Sequence, residues 1–560
     1  MILTKNPYKF LTIVSLSCVS IMANGQDKKQ GSITNEDIVI DKERKIELPQ
    51  ANRIFEKIPT IQDANKGKGL RYEFTERKLP IQMPQFSPVV VMPGDGISKE
   101  NTKLGNYNNV IKAGFGNYAH TFLEGHVGIQ PNEDVYHGIY FKHDGNRLGP
   151  VGASNSGRSQ NLIKVHSKTI TNTFKFDGAI GWERQSTHFY GKVPNPYDIV
   201  ADSIAQHWNK FHYIGSISNA IRGSKIDYTA TSGLSFLYTK YDAREWVWDS
   251  KINAVFPITN GLTAHFDGNM VISEYTDEVA DRRQLFKLKP TFQYKNDFLN
   301  ISAGINIAND KDKNLNLNDT YVFPTAKIDV QPIENIHVFG GIDGDVYMNN
   351  FMNILQEMPW LAAKSQLKDT RKTAEFFAGA KGLLENGFGF EAKVSYGQYR
   401  NFYVFNNSGA DSTRFNINFS NDTTKVKVTN FSGQLNYQYE NFRSLLKVDY
   451  YNYAGLGNLD QAWHRPSFTS TWNNTLTFKE KLIVSSDIYF ITGLKGKNLI
   501  TNKEQNLSSI FDLNLKFTYL ITDRFNVFVS ANNILGKEYQ RYLYYPQQGI
   551  NFLAGLSYSF

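Results

Sequence analysis

The last eleven residues alternate between apolar side chains and small or polar ones. The apolar positions recur every second residue, and they are Ile550, Phe552, Ala554, Leu556, Tyr558 and Phe560. Leu553 is the one exception to the alternation. Residues two apart lie on the same face of a strand, so this stretch predicts a β-strand with one apolar face. We expect that face to contact lipid.

The same period of two recurs upstream, at 299–307, 431–439 and 511–519. A helix would not separate these side chains into two faces. A soluble β-sandwich also alternates, but its strands are usually shorter and its apolar face has to be buried against a second sheet. The connections between strands distinguish the two classes of fold.

Short and long connections alternate along the chain. Short turns are predicted at PITNGL, YKNDF, PIENI, LENGF, YENFR, FKEKL and ITDRF. Long polar connections are predicted near 191–207, 310–319, 347–369, 406–424, 455–465, 493–507 and 534–547. Outer-membrane barrels have short periplasmic turns and longer extracellular loops, so this asymmetry favours a membrane barrel.

The predicted fold class is therefore all-β: a large antiparallel transmembrane β-barrel of about 22 strands, preceded by an extended or irregular N-terminal segment. The alternating pattern begins near Asn108 and continues to the end of the chain. Pro290, inside LKPTFQY, fits poorly in a hydrogen-bonded ladder and predicts a bulge or a misplaced strand boundary.

Composition agrees with a barrel, because aromatics reach 14% while the mean hydropathy is only -0.42. In a membrane barrel, apolar lipid-facing residues alternate with polar lumen-facing residues, so the mean hydropathy of the whole chain stays low. The net charge of +8 favours solubility and contact with lipid headgroups over a lumen tuned for anionic solutes. We expect outer-membrane lipid as a partner and no nucleic acid.

The N-terminus has the pattern of a secretory signal peptide. Lys5 and Lys9 precede an apolar run and a stretch of small residues, which predicts a signal peptide over 1–25 with cleavage between Gly25 and Gln26. An alternative makes Cys18 a lipoprotein cysteine, but Ser15 stands where such a site favours Leu. Cys18 is the only cysteine, so cleavage would leave a mature chain without thiols or disulfides.

Residues 26–105 differ from the rest, since they are charged, rich in proline and without sustained alternation. Proline fixes φ and removes an amide donor, so this segment is predicted to be extended, lying either in the periplasm or in the lumen. The predicted domains are thus a signal peptide (1–25), this segment (26–105) and a barrel (106–560).

Motifs for chemistry are weak. Eight of the eleven histidines fall between His120 and His212, and the pairs His120/His126 and His137/His143 each have even spacing. Each pair is expected on one face of a strand, but its members would be about 20 Å apart, too far to share a metal within the pair. Ligation across strands stays open, although histidine also suits wet lumens.

No hydrolase, metalloprotease or phosphate-loop motif is present in the sequence, and PGDGIS at 93–98 is interpreted as a turn. Trp246, Trp248 and the Met358–Trp360 stretch favour girdle or loop packing over ligand binding. We therefore predict no enzyme activity, no catalytic residues, no cofactor and no metal.

The stretch NVFVSANNILGKEYQRYLYYPQQGINFLAGLSYSF closely resembles the closing strands of TonB-dependent receptors. QEMPWLAAKSQLKDTRKTAEFFAGAKG and LGNYNNVIKAGFGNYAHTFLEGHVG are similar to the version found in Bacteroidota. The resemblance covers about 106–560, and it implies a 22-stranded barrel in the outer membrane of a Gram-negative bacterium. TonB-dependent receptors also carry a plug domain of well over a hundred residues, a pattern that 26–105 does not show.

Two hypotheses follow. The first is a plug-less barrel that serves as a structural or accessory component of an outer-membrane complex, with a protein partner at its lumen or periplasmic face. The second is a transporter or receptor for an unknown solute, either passive or coupled to TonB through a plug supplied in trans.

A barrel this wide leaks if empty, so we expect its lumen to be filled by 26–105, by inward-folded loops such as 347–369, or by a partner.

Overall fold

The structure, a computed structural model, describes residues 109–132, 134–192, 199–221, 224–384, 387–498 and 502–560. The predicted signal cleavage at Gly25 and Gln26, the segment 26–105 and the PGDGIS turn lie outside these residues. Their assignments stay predictions. Among the described residues, no helix is long and apolar enough to cross a membrane.

The described residues form an antiparallel β-barrel of 22 strands, as the sequence predicts. Each strand pairs with the next one along the barrel, and the first pairs with the last. Val110 lies opposite Ser559, and Gly116 lies opposite Leu553, so the C-terminal strand closes the barrel. Closure leaves no strand edge unpaired, which a sheet in lipid requires because no water is there to bond a free edge.

The barrel strands are β1 (Val110–Gly116), β2 (His120–Asn132), β3 (Val135–Asn146), β4 (Arg158–Ile170), β5 (Phe174–His188), β6 (Ala205–Asn219), β7 (Asp227–Thr239), β8 (Arg244–Thr259), β9 (Leu262–Asp277), β10 (Val279–Lys295), β11 (Leu299–Asp312), β12 (Leu317–Ile333), β13 (Ile336–Tyr347), β14 (Thr370–Leu383), β15 (Phe388–Arg400), β18 (Val426–Tyr439), β19 (Phe442–Ala454), β20 (Phe468–Phe478), β21 (Leu482–Thr492), β24 (Ile510–Leu520), β25 (Phe525–Asn532) and β28 (Asn551–Ser559).

Further elements lie within the connections. Three small hairpins are formed by β16 (Tyr403–Asn407) with β17 (Phe415–Phe419), β22 (Lys495–Lys497) with β23 (Glu504–Asn506), and β26 (Gln540–Tyr542) with β27 (Tyr545–Pro546). The helical elements are α1 (Phe351–Glu357) and the 3₁₀ turns η1 (Ala153–Ser156), η2 (Ala201–Ile204) and η3 (Gly457–Leu459).

The two ends of the barrel differ, as the connection lengths predict. The seven predicted short turns all lie at the end where β1 begins and β28 ends, which we call the turn end. The long connections lie at the opposite end, the loop end. By the rule for outer-membrane barrels, we expect the turn end to face the periplasm and the loop end to face outside.

The predicted long connection at 310–319 is wrong. Strand β11 runs to Asp312 and β12 starts at Leu317, so only 313–316 form a turn. Asn309 pairs with Thr320, and Asp310 pairs with Asp319, in an unbroken register. A tilted strand needs about 9 to 11 residues to cross the membrane. These strands have 14 and 17 residues, so we expect their polar ends to continue the hairpin beyond the membrane.

The bulge predicted at Pro290 is also absent from strand β10. Pro290 lies opposite Phe266 of β9, and the pairing with β11 continues in the same register on either side, from Leu288 with Ile307 to Thr291 with Gly304. Successive amides of an antiparallel strand point to alternate neighbours, so one proline removes a single hydrogen bond on one side. The ladder tolerates that loss.

The C-terminal strand separates its side chains as the alternation predicts. Ile550, Phe552, Ala554, Leu556, Tyr558 and Phe560 are all exposed on the outer surface. Leu553, the exception in the sequence, is 1% exposed and packs inside the barrel against Phe122 and Phe528. The contact of the six exposed residues with lipid stays a prediction.

Candidate functional site

At the loop end of the barrel, several of its own connections pack together into a buried core. A buried hydrophobic cluster, which we call the loop cap, joins residues of 189–204, 348–369, 401–425 and 533–550 to the inward-facing ends of strands β6 to β9. The strand side chains that contribute are Trp208, Leu237, Val247 and Tyr275. Inward-folded loops were one of the three predicted ways to fill the lumen. The 348–369 connection folds inward in this way at the mouth of the barrel.

Helix α1 lies at the centre of the loop cap. Phe351, Ile354, Leu355 and Met358, in the helix and directly after it, are all at most 4% exposed. Asn350 caps the helix, since its side chain accepts a hydrogen bond from the amide of Asn353. A seven-residue helix is too short to be stable in isolation, so its apolar contacts have to hold it in place.

The carboxylate of Glu245 joins the start of this helix to the barrel wall. It accepts hydrogen bonds from the backbone amides of Phe351, at 2.9 Å, and Met352, at 2.7 Å. Ser273 on the neighbouring strand donates a third, at 2.7 Å. Glu245 is 2% exposed, so these three donors compensate for the water that its charge loses. The first amides of a helix have no partner within the helix, which makes them suited to bind a carboxylate.

The other end of the same connection is fixed by a buried ion pair. Arg283 of β10, 1% exposed, donates a hydrogen bond of 2.7 Å to Asp369 and another of 3.0 Å to the backbone carbonyl of Asn349. Asp281 lies 3.5 Å from the same guanidinium. Burial raises the pKa of Asp369, although Arg283 opposes the shift. One arginine therefore binds both ends of the 348–369 connection.

A second buried pair connects α1 to the neighbouring loops. Glu357, the last residue of the helix, accepts hydrogen bonds from Arg465 at 2.7 Å and from the hydroxyl of Tyr403 at 2.6 Å. Arg465 also donates to the carbonyl of Tyr403 and stacks over its ring. These contacts join 348–369, 401–425 and 455–467 into one unit.

Aromatic rings fill the space between the loops. Trp360 and Tyr545 lie 3.9 Å apart between ring centroids, and Tyr190 and Phe415 contact Tyr545 at 4.7 and 5.8 Å. The indole of Trp360 donates to the carbonyl of His188, and the hydroxyl of Tyr545 donates to the carbonyl of Thr413. Each polar end of these rings is paired, which allows complete burial.

His464, in the 455–467 connection, is a buried titratable group that packs against the loop cap. Its Nδ1 lies 2.8 Å from the carbonyl of Phe405, and its Nε2 lies 3.3 Å from the amide of Leu543. These partners require a neutral ring that donates through Nδ1 and accepts through Nε2. Burial, together with Arg541 and Arg465 nearby, lowers the pKa of His464 to about 3. The ring is therefore neutral at ordinary pH.

Below the loop cap, charged side chains on the lumen wall form ion pairs with each other. Lys287 binds Asp345 at 3.0 Å, and Lys372 lies 2.9 Å from Glu375 and 3.4 Å from Asp343. Within the described residues, no three or more His, Cys, Asp or Glu side chains are grouped so as to hold a metal ion. The interactions found in and below the loop cap are thus apolar packing and charge pairing.

The residues singled out in the sequence separate between the two faces. The register of β2 and β3 is unbroken from His120 to Ile129, so the members of each histidine pair share a face. His120 binds Asp144 inside, while His143 binds Thr121 and Asn161 on the outer side.

The tryptophan residues also divide between the outer wall and the loop cap. Trp248 is 42% exposed on the outer wall, where its indole donates to Ser232. Met358 and Trp360 belong to the loop cap. Loop packing is therefore confirmed for Met358 and Trp360. A girdle position for Trp246 and Trp248 stays a prediction.

The polar residues that fix the loop cap were missed from the sequence. Glu245, Arg283, Asp369, Glu357 and Arg465 come from distant parts of the chain, and no local spacing connects them. A charged residue in an inward position near the loop end of a strand is the only signal that the sequence carries. Many other charged residues also face the lumen, so this signal alone does not identify the residues that fix the loop cap.

Comparison with known proteins gives the fold. No protein-family model and no curated protein matches the chain. Among solved structures, the FrpB iron transporter from Neisseria meningitidis matches with a TM-score of 0.63 at 10% identity, over 82% of each chain. The siderophore receptor PirA from Acinetobacter baumannii matches with a TM-score of 0.61 at 11% identity, over 81% of this chain and 80% of PirA.

The ferric-catecholate import receptor Fiu from E. coli K12, in a closed form, matches with a TM-score of 0.62 at 9% identity, over 81% of each chain. Identities this low establish the architecture and nothing about the solute. The chain therefore has the fold of an outer-membrane barrel of the TonB-dependent-receptor type, shared with these transporters and receptors.

Proposed function

We propose that this chain is a closed, plug-less outer-membrane barrel that serves as a structural or accessory component of an outer-membrane complex, in a bacterium of the Bacteroidota. The observation that carries the proposal is the loop cap, which places a hydrophobic core and buried ion pairs at the mouth of the barrel. The domain division at 105/106 is part of the proposal.

Opening the loop cap would be costly in free energy. Ile354, Leu355, Met358 and Phe415 are at most 1% exposed in the loop cap. Burial of one such side chain contributes about 1.5–3 kcal/mol, so exposure of these four costs about 6–12 kcal/mol. A ligand that binds with micromolar affinity provides about 8 kcal/mol. Such a ligand would keep little or none of its binding free energy after opening the loop cap.

Co-purification tests the accessory role. A chromosomally tagged copy is crosslinked in cells and purified, and an unrelated tagged outer-membrane barrel expressed at the same level is the control. We expect a partner at fixed stoichiometry that reciprocally captures this chain and is absent from the control. Migration of this chain as a monomer, with no partner after crosslinking, would overturn the proposal.

A second candidate function is a transporter or receptor, passive or coupled to TonB through a plug supplied in trans. It is favoured by the fold shared with proteins described as an iron transporter and as siderophore receptors. Planar-bilayer recordings distinguish the two functions. We expect no ion flux from the full chain, nor from a chain without 26–105. Steady conductance of either form would support the passive pore instead.

A further inference from the structure

Three side chains from three adjacent strands meet on the lumen wall, away from the loop cap. The hydroxyl of Tyr136 on β3 lies 2.9 Å from Nε2 of His126 on β2. The ring of His166 on β4 lies 5.6 Å from that of His126 and 5.3 Å from that of Tyr136, between centroids. His126 and Tyr136 belong to one hairpin and His166 to the next strand, so the register of three consecutive strands brings them together.

The cluster faces the lumen. Leu123, Ile129, Ile139, Ile163 and Val165, which alternate with the cluster along the same strands, are between 41% and 62% exposed on the outer wall. Alternation therefore directs the three rings inward. Each of the three residues is partly exposed.

Glycines provide the space for these rings. A side-chain carbon at Gly138 would lie 2.7 Å from Nε2 of His166 and 2.9 Å from the hydroxyl oxygen of Tyr136. A carbon at Gly128 would overlap the same hydroxyl. The donor atoms of His166 and Tyr136 thus converge on one point beside Gly138, and His126 is hydrogen-bonded to one of them.

One donor atom in the cluster lacks a partner. Nε2 of His166 is buried without a hydrogen bond, which normally costs free energy unless the atom binds something else. Two imidazole nitrogens and a phenol oxygen form a donor set that suits borderline first-row metal ions. Among the described residues, no three or more His, Cys, Asp or Glu side chains form a possible metal group. This cluster contains only two residues of those types, and its third donor is a phenol oxygen.

We propose that His126, Tyr136 and His166 form a binding site for a divalent first-row transition-metal ion such as Zn²⁺ or Cu²⁺. Three protein ligands leave at least one coordination position for water or an incoming anion, as in metal sites that exchange their ligands. Binding takes the metal between the three donors and releases the phenolic proton of Tyr136 to solvent. The site adds an activity to the barrel that the accessory role does not require.

Titration of the purified full chain with Cu²⁺ tests the site. All eleven histidines lie at or beyond His120. A purification tag without histidine adds no competing metal-binding site. We expect one equivalent of tightly bound Cu²⁺, with nitrogen ligands visible by electron paramagnetic resonance. Calorimetry in buffers of different ionisation enthalpy should show about one proton released for each metal ion bound.

Variants locate the binding. His126→Gln with His166→Gln should abolish the tight equivalent, and Tyr136→Phe should weaken it about tenfold and remove the proton release. Gly138→Ala should also weaken it, since the added methyl enters the point of convergence. His143→Gln is the matched control, because this histidine belongs to the same hairpin but binds Thr121 and Asn161 on the outer face.

Barrel folding is checked for each variant by the gel mobility of the unheated protein. The proposal is overturned if the wild-type chain shows no saturable binding, or if the double variant, correctly folded, binds Cu²⁺ with the same stoichiometry and affinity.

Discussion

The carboxylate of Glu245 lies 2.9 Å from the backbone amide of Phe351, more than a hundred residues away, and so fixes helix α1 to the barrel wall. We expect Glu245→Gln to weaken this attachment, because an amide group has one acceptor oxygen where the carboxylate has two. The loss should be about 1–3 kcal/mol of cap stability. Hydrogen exchange of the amides of 351–358 measures it, and exchange should accelerate about 5- to 150-fold.

Glu274→Gln is the control for that prediction. Glu274 is on the adjacent strand β9, where alternation from the exposed Phe266 places it on the outer face. Its substitution should leave the exchange of 351–358 unchanged. Equal exchange in the Glu245 variant and the wild type would show that apolar packing, without Glu245, holds the helix.

Arg283 and Asp369 should behave as a coupled pair. Arg283→Met leaves Asp369 buried without its counter-charge, and removal of one partner of a buried pair costs about 3–5 kcal/mol. Arg283→Met with Asp369→Asn removes both charges, so we expect part of that stability to return. Hydrogen exchange of the 348–369 connection measures both variants. Additive losses would contradict the coupling.

Acid should loosen the loop cap through His464. The pKa of His464 is about 3 in the folded protein, against about 6.5 in an unfolded chain. A lowered pKa means that the folded state requires the neutral ring, so the stabilisation is complete above pH 6.5 and is lost progressively as pH falls toward 3. The near-ultraviolet circular dichroism of the aromatic cluster should weaken over that range.

His464→Gln tests whether this residue is responsible, because glutamine can donate and accept without titrating. We expect its dichroism to depend less on pH than that of the wild type. His265→Gln, whose histidine bonds Thr263 near the turn end, should keep the wild-type profile. An unchanged profile in the His464 variant would assign the acid effect to other groups.

Spin labels on β28 test contact with lipid. The only cysteine, Cys18, is predicted to leave with the signal peptide, so single cysteines can be placed freely. Labels at Phe552, Ala554, Leu556 and Tyr558 should collide with oxygen dissolved in the membrane. Labels at Leu553, Ser557 and Ser559 should be protected. A uniform collision rate along the strand would contradict the lipid-facing assignment.

Processing of the N-terminus has a direct test by mass spectrometry of the mature protein. We expect the chain purified from outer membranes to begin at Gln26, because the small residues before it fit a signal peptidase. Recovery of a chain that begins at a lipid-modified Cys18 would instead support the lipoprotein alternative.

The sequence determined the architecture of this protein because strand alternation is a local property. Each barrel strand has to present apolar side chains to lipid at every second position, so the period of two is written directly into residues such as Phe552, Leu556 and Tyr558. The number of strands and the two kinds of barrel end follow from counting these periods and the turns between them.

The tertiary structure decided how the mouth is closed and which inward residues meet. Glu245 with Phe351, Arg283 with Asp369, and His126 with His166 are brought together by the barrel register and by loop packing. Side-chain pairing across strands depends on shear and on the path of the loops, which no local spacing encodes. The error at 310–319 has another cause, because the polar composition of these residues resembles that of a loop although they continue a hydrogen-bonded hairpin.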